Sequence, residues 1–142
     1  RGDMVVKNIE DLNGKRVAVV KGSSMEENIV KAAKQNRIKI KLIYVETFGD
    51  MAKYVNDKKA DCTIHDSDNA YLSIKNYKEL TVGFPLTERE FIGWGVSKDN
   101  VMLKRLLEKY FIFARDTGIT DKYWKESYGI TFSEYLSILE YK

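Results

Sequence analysis

Apolar positions in the first 84 residues alternate between blocks with strand-like spacing and blocks with helix-like spacing. Short continuous or alternating apolar runs predict strands, and apolar residues three or four positions apart predict helices. The predicted strands are 16–20, 38–45, 62–64 and 80–84, and the predicted helices between them are 24–35, 48–56 and 66–77. This alternation favours a mainly parallel sheet flanked by helices, which is an α/β fold.

The pattern changes after Pro85. An apolar block interrupted by two glycines, residues 91–96, predicts one more strand. Helical spacing of apolar residues then predicts a long helix, a second helix and a short third helix, over 100–117, 120–128 and 132–141. We therefore expect an α/β domain over residues 1–90, followed by a strand and a helical segment over 91–142.

Polar residues mark the start of two predicted helices. Ser24 followed by Glu27 fits a capping box, in which the serine hydroxyl and the glutamate carboxylate bond the first backbone N–H groups. Thr47 fits the capping position before helix 48–56. Each helix is therefore expected to begin at its capping residue or directly after it.

The composition is that of one globular domain of ordinary size. The chain has 142 residues, 44% of them hydrophobic and 32% charged, a balance that argues against disorder. The 24 basic and 21 acidic residues leave a net charge of +3, which does not suggest a nucleic-acid partner. No apolar run approaches the roughly 18 residues of a membrane span. One cysteine and one histidine exclude a disulfide framework and multi-histidine metal sites, so we expect no metal or cofactor.

The first candidate site is the turn Gly22-Ser23-Ser24, between a predicted strand and a predicted helix. Glycine lets a backbone approach a ligand closely, and the start of a helix offers free N–H groups and a positive dipole end. Together with two serine hydroxyls, these groups suit a carboxylate or a phosphate. The alternative is that Ser24 is only a helix cap.

The second candidate site follows the short strand 62–64. Asp66 and Ser67 lie at the carboxyl end of that strand, where open α/β sheets bind ligands, and they suit a cationic or hydroxylated group. The alternative is again helix capping by either residue. His65 beside an acid does not by itself indicate catalysis, and Cys62 between apolar neighbours is expected to be buried rather than reactive.

Two further clusters favour ordinary structural roles. Local basic residues indicate a solvated face: Lys31, Lys34, Arg37, Lys39 and Lys41. Aromatic residues near the C-terminus indicate packing between helices: Tyr110, Phe111, Phe113, Tyr123, Trp124, Tyr128, Phe132 and Tyr135. If their packing partner lies outside the chain, some of these rings are expected to be exposed.

Four stretches, taken in order, resemble the family 3 extracellular solute-binding proteins, which are the amino-acid-binding type of periplasmic binding protein. The stretches are Asp11–Ser24, Lys59–Asp66, Gly93–Asn100 and Asp116–Trp124. Within that family, Asp61–Ser67 is similar to the solute-binding module of membrane-bound lytic murein transglycosylases. The resemblance covers nearly the whole chain.

The resemblance implies a two-lobed, periplasmic or extracellular protein that clamps its ligand between the lobes. This chain would supply the second lobe and the segment that returns to the first, and the rest of the first lobe would lie upstream of Arg1. By the same resemblance, Ser23 and Ser24 help to bind a ligand carboxylate, and Asp66 takes the ligand ammonium. The family's carboxylate-binding arginine lies in the first lobe and has no counterpart here.

Three functions remain open at this point. The leading one is a binding or sensing module for a small zwitterionic ligand, such as an amino acid or a peptidoglycan-derived peptide, with a membrane transporter as a partner. The second is a non-catalytic regulatory domain attached to a lytic transglycosylase, whose catalytic domain is not part of this sequence. The third is an unrelated α/β enzyme or a receiver-like signalling domain.

Overall fold

A computed structural model describes residues 6–88 and 93–140, with side chains through residue 137. The chain divides into two compact units, residues 1–89 and 90–142. The assignment of these parts to the second lobe and the returning segment of a two-lobed protein stays a prediction.

The first unit contains a parallel three-stranded sheet in the order β2-β1-β3. The strands are β1 (Arg16–Val20), β2 (Lys41–Val45) and β3 (Cys62–Thr63). The helices are α1 (Ser24–Gln35), α2 (Phe48–Asn56) and α3 (Ser67–Asn76), and a 3-10 turn over Glu10–Leu12 precedes the sheet. Helices α1 and α2 begin and end at the predicted residues, and the α/β class is confirmed.

The central strand β1 is buried on both faces, which explains its continuous apolar run. Val17 and Val19 pack with Leu12 and Ile29 in one core cluster. The other face of the strand, at Ala18, packs in a second cluster with residues of β2, α2 and the turn before β3: Val45, Met51, Val55 and Ala60. Full burial of one such large apolar side chain stabilises the fold by about 1.5–3 kcal/mol, so these two clusters hold the sheet to its helices.

Three predicted strands differ from the structure in the first unit, one of them only because β3 ends at Thr63 instead of at residue 64. Strand β2 starts at Lys41 rather than at residue 38, because Arg37 takes a left-handed conformation (φ 55°) and the Ile38 N–H still bonds the Ala33 carbonyl of α1. Residues 80–84 are not a strand. Leu80 and Phe84 bury their side chains against the two core clusters. The outer strand β3 has only two residues, so it offers few backbone groups with which a further strand could pair.

A partly buried ion pair connects the amino end of β1 to the turn before β3. The guanidinium of Arg16 reaches Asp61 at 2.7 Å (Nη2 to Oδ1) and 3.2 Å (Nε to Oδ2), and the Arg16 backbone N–H also donates to Oδ2 at 2.8 Å. The same guanidinium donates to the carbonyls of Lys58 and Lys59. Five hydrogen bonds from one residue therefore hold this turn beside the strand.

The second unit is mainly helical from residue 101 onward. Its helices are α4 (Val101–Asp116), α5 (Ile119–Tyr128) and α6 (Phe132–Glu140). Asn100 caps α4 by accepting the Leu103 N–H at 3.0 Å, as its position in the sequence suggests. Gly118 and Gly129 take left-handed conformations (φ 74° and 83°) where α4 and α5 end. Of the predicted strand 91–96, residues 91–92 lie outside the described residues and residues 93–96 are not a strand.

The aromatic residues of the second unit divide into a packed cluster and an exposed row. Trp124 stacks on Tyr128 at 4.5 Å between ring centroids and lies within 5.0 Å of the Phe132 and Tyr135 rings. Phe111 and Phe113 on α4 are 44% and 56% exposed. Trp124 of α5 is therefore packed against α6. Among the described residues, none of the helices is both long and apolar enough to cross a membrane.

Candidate functional site

The strand order places the two predicted candidate segments at neighbouring strand ends. The chain passes from β1 to β2 on one side, and then crosses back to β3 on the other side of β1. Ligands of open α/β sheets bind at such a switch point, outside the carboxyl ends of the strands. The turn 21–23 leaves the carboxyl end of β1, and the loop 64–66 leaves that of β3, so both lie at this edge of the sheet.

Gly22 is required at the β1–α1 turn by its backbone conformation. Its φ is +74°, a left-handed value that L-residues with side chains rarely adopt. No atom lies within 4 Å of the position that a Cβ would take there, so the space beside the turn is open. The glycine therefore shapes the turn and leaves it accessible from outside.

Ser23, rather than Ser24, caps α1. Its hydroxyl accepts the Glu26 N–H at 3.2 Å and donates to the Val20 carbonyl at 2.7 Å, so the end of β1 and the start of α1 are held together. Glu26, three positions after Ser23, accepts the Gly22 N–H at 2.6 Å, one residue before the N–H that a capping box normally uses. The predicted pair of Ser24 and Glu27 was wrong by one residue, because both serines have a glutamate three positions later and the pattern fits either register.

Glu26 is a site residue that the sequence reasoning missed. Its second carboxylate oxygen accepts the Tyr44 hydroxyl of β2 at 2.7 Å. The hydrogen bonds from Tyr44 and from Gly22 lower the pKa of Glu26, and the same carboxylate raises the pKa of Tyr44. Glu26 therefore carries its charge at neutral pH and fixes the turn. The available signal was the Ser23-x-x-Glu26 spacing.

Ser24 is left as the accessible donor of the turn. It is exposed, and it is the first residue of α1. The N–H groups of Ser24 and Met25 have no intrahelical acceptor at this position, and no backbone acceptor for them is found among the described residues. With the positive end of the helix dipole behind them, these groups suit a carboxylate.

Asp66 lies directly before α3 and does not cap it. Its side chain makes no capping hydrogen bond with the helix, and it is exposed. Ser67 is the exposed first residue of α3. The Thr63 hydroxyl donates to the Ala18 carbonyl at 2.8 Å and so fixes the end of β3 against β1. The capping alternative therefore does not explain Asp66, and its carboxylate is available to a cation.

His65 and Cys62, the one histidine and the one cysteine of the chain, are both partly buried. Burial lowers the pKa of His65, against the opposite effect of the carboxylates of Asp66 and Asp68. Its Nε2 is buried without a hydrogen-bond partner among the described residues. Burial raises the pKa of Cys62 to about 11, so its thiol stays protonated at neutral pH. The described residues contain no group of three or more His, Cys, Asp or Glu side chains arranged to hold a metal ion.

Two cavities are lined by other residues, and the larger of them borders Tyr44, the hydrogen-bond partner of Glu26. One, of about 410 Å³, opens in the first unit beside Tyr44, Asp50, Lys53, Tyr54 and Lys59. The other, of about 190 Å³, lies in the second unit beside Trp94, Leu107 and Phe111. Neither is lined by any of the five candidate residues Gly22, Ser23, Ser24, Asp66 and Ser67. The candidate site is thus an open surface, and its ligand contacts stay a prediction.

The fold is that of the type 2 periplasmic binding proteins, and the resemblance to family 3 solute-binding proteins is confirmed. No family model matches the chain. Among curated proteins, the chain is similar to membrane-bound lytic murein transglycosylase F of Saccharophagus degradans, at 29% identity over 133 residues. This alignment covers 90% of the chain and 26% of the relative.

Solved structures of amino-acid-binding proteins have the same fold. An ancestral arginine-binding protein bound to arginine superposes with a TM-score of 0.61 at 25% identity, covering 87% of this chain and 54% of that one. The L-cystine solute receptor of Neisseria gonorrhoeae superposes with a TM-score of 0.65 at 22% identity, covering 90% and 53%. The chain therefore spans about half the length of these structures and about a quarter of the curated relative.

Proposed function

We propose that the chain is part of a solute-binding or sensing module that holds a small zwitterionic ligand in a cleft between two lobes. The ligand would be an amino acid or a peptidoglycan-derived peptide. The similarity to an arginine-binding protein and to an L-cystine solute receptor supports this class of ligand. We place the protein in the periplasm or outside the cell, with a membrane transporter or an attached enzyme domain as its partner and no nucleic acid.

The observation that carries the proposal is the pairing of a donor group and an acceptor group at neighbouring strand ends. Ser24 offers an N–H group, a hydroxyl and the positive end of α1 after β1. Asp66 offers an uncapped carboxylate after β3. A zwitterion needs both groups a short distance apart, with its carboxylate at Ser24 and its ammonium at Asp66.

The candidate site would be one wall of the cleft. It is an open surface, and the chain spans about half the length of the similar structures. A small ligand normally buries most of its surface when it binds. We therefore propose that the opposing wall comes from residues outside these 142, and that closure of the two walls completes the site.

A second candidate function is a non-catalytic regulatory domain of a membrane-bound lytic murein transglycosylase. The similarity to transglycosylase F of Saccharophagus degradans favours it, although the chain covers only 26% of that protein. In this case the same site would sense a cell-wall fragment, and the chain itself would supply no chemistry.

The test is an amide-shift titration of the chain with arginine, cystine and a muropeptide. We expect ligand-dependent shifts centred on Ser24 and Asp66. Asp66→Asn keeps the shape of the side chain and removes its charge, so the initial slope of the shifts should fall by about tenfold, as expected for the loss of one charge-assisted hydrogen bond. Asp57→Asn, at the opposite edge of the sheet, is the matched control and should change nothing.

Three results would contradict the proposal. The first is the absence of shifts with all three ligands both in this chain and in a longer chain that includes the opposing wall. The second is a set of shifts that lie away from the ends of β1 and β3. The third is an equal effect of Asp57→Asn and Asp66→Asn, which would assign the change to net charge rather than to the site.

A further inference from the structure

Five exposed basic residues lie at the edge of the first unit's sheet opposite the candidate site. We call them the basic edge: Lys31, Lys34, Arg37, Lys39 and Lys41. The surrounding stretch, residues 28–45, contains no Asp or Glu and so carries a charge of +5, whereas the whole chain carries +3. Positive charge is therefore concentrated in this stretch, and the rest of the chain is slightly acidic.

The topology brings these residues to one edge. Helix α1 returns from the carboxyl end of β1 to the amino end of β2. The last turns of the helix, with Lys31 and Lys34, therefore lie at the same edge as the start of β2, with Lys39 and Lys41. This is the amino edge of the strands, whereas the candidate site lies at their carboxyl edge.

The backbone around the basic edge is held in place. The Lys39 N–H donates to the Asn13 side chain at 2.9 Å, and the Lys39 carbonyl accepts the Gly14 N–H at 2.6 Å. The Lys41 N–H donates to the Lys15 carbonyl at 2.8 Å. The charges are therefore presented from fixed positions, with only their side chains free to move.

No internal interaction of the fold accounts for the basic edge. The ion pairs found between described residues are Arg16–Asp61, Lys104–Glu108 and Arg115–Asp116, and none of them involves the basic edge. The dipole of α1 favours cations in its last turn, which accounts for Lys34. It does not account for Lys39 and Lys41, because they follow the helix. Like charges on neighbouring elements repel one another and attract an external anion.

We propose that the basic edge binds the surface of an anionic phospholipid bilayer. Four of the five residues are lysines, which attract a charged surface as point charges without fixed geometry. Residues 28–45 contain one aromatic ring, that of Tyr44, whose hydroxyl bonds Glu26 beside the opposite edge of the sheet, so the basic edge itself lacks the stacking surface that single-stranded nucleic acid uses. Binding through the amino edge leaves the carboxyl edge, and with it the candidate site, facing away from the bilayer.

The test compares two variants with equal net charge. The first is Lys31→Gln, Lys34→Gln, Lys39→Gln and Lys41→Gln, and the matched control is Lys98→Gln, Lys109→Gln, Lys122→Gln and Lys125→Gln. Each removes four exposed lysines. Sedimentation with vesicles of phosphatidylcholine alone, or with about one third phosphatidylglycerol, measures binding at about 0.05 M and about 0.3 M salt. Circular dichroism checks folding, and Lys39→Gln with Lys41→Gln is a milder second variant.

We expect the unchanged chain and the control variant to bind the anionic vesicles at low salt. The basic-edge variant should bind at least tenfold more weakly, and high salt should weaken the binding of the unchanged chain to a similar extent. No binding to anionic vesicles, or equal loss in both variants, would overturn the proposal. Binding to soluble inorganic polyphosphate as tightly as to vesicles would also overturn it, because the edge would then be a general polyanion site.

Discussion

The two neighbouring serines of the β1–α1 turn have different tasks in the structure. The Ser23 hydroxyl acts within the turn both as a donor, to the Val20 carbonyl, and as an acceptor, from the Glu26 N–H. Ser24 is exposed at the first position of α1. At the residue scale, stability and proposed ligand binding are therefore separated between two adjacent side chains.

We expect Ser23→Ala and Ser24→Ala to affect different measurements. Ser23→Ala removes the helix cap and should lower the free energy of unfolding by about 1 kcal/mol in urea. Ser24→Ala should leave stability within about 0.5 kcal/mol of the original and weaken ligand binding two- to tenfold. A larger loss of stability from Ser24→Ala would place the cap at Ser24 and contradict this assignment.

Asp61 makes the stability of the first unit depend on pH. The hydrogen bonds from Arg16 hold the pKa of Asp61 at about 2, below its ordinary value of 3.8. A carboxyl group whose pKa is lowered by folding stabilises the folded state above its unfolded pKa. That contribution is lost as the pH falls from about 4 to about 2.

We expect Asp61→Asn to lower the free energy of unfolding at neutral pH by about 1–2 kcal/mol. The full pKa shift overstates the effect, since the Arg16 side chain is 39% exposed to screening solvent. The variant should also lose part of the steep fall in stability between pH 4 and pH 2, measured by chemical unfolding at each pH. Glu108→Gln, in an exposed pair with Lys104, is the control and should change stability by less than about 0.5 kcal/mol. An unchanged pH profile for Asp61→Asn would rule this explanation out.

At the scale of the elements, the first unit depends on how each strand passes into the next helix. The β1–α1 turn needs a left-handed residue at Gly22, whereas the β2–α2 connection is capped by Thr47 without one. Gly49 lies in the first turn of α2, and a Cβ there would meet only the Thr47 hydroxyl at 3.7 Å, an ordinary contact. The backbone conformation at Gly22 therefore requires glycine, whereas the conformation at Gly49 does not.

We expect Gly22→Ala and Gly49→Ala to change stability in opposite directions. Gly22→Ala forces a side chain into a left-handed conformation and should cost about 1–2 kcal/mol, although the space is open. Gly49→Ala should stabilise the fold by about 0.5 kcal/mol, because alanine favours the helix and restricts the unfolded chain. Thermal unfolding of both variants measures this, and a neutral Gly22→Ala would mean that the turn relaxes to another conformation.

Which of the predicted elements form also depends on their neighbours. Helices α1 and α2 match the prediction because caps and apolar spacing lie within each segment. Residues 80–84 carry a strand-like pattern, yet no strand forms: Leu80 and Phe84 are partly buried against the core clusters, and Val82 is exposed. Apolar spacing is a local property, whereas a strand also requires a partner edge supplied by a distant part of the chain.

At the scale of the whole molecule, the chain provides about half the length of the similar binding proteins. The proposed contacts on one wall are a helix start, worth about 0.3–1 kcal/mol, and one charge-assisted hydrogen bond, worth about 1.5–3 kcal/mol. Association itself costs at least about 4 kcal/mol in lost freedom. One wall therefore contributes too little for tight binding.

We expect the 142-residue chain to bind free amino acids with dissociation constants weaker than about 1 mM. Amide-shift titration measures this directly, since weak binding gives shifts that keep growing with ligand concentration. A longer chain that includes the opposing wall should bind the same ligand more tightly. Saturable binding below 1 mM by the present chain would show that one wall is sufficient.

The sequence by itself determined the α/β class, the bounds of α1 and α2, and the two segments that carry the candidate residues. These features follow from apolar spacing and capping residues, which act over a few neighbouring positions. Only the tertiary structure decided the strand order β2-β1-β3, which makes the ends of β1 and β3 neighbours. It also decided that Ser23 rather than Ser24 caps α1, through contacts with Val20 and Glu26. Strand order and the choice between two equal capping registers depend on pairing and packing between segments, which no local pattern of residues specifies.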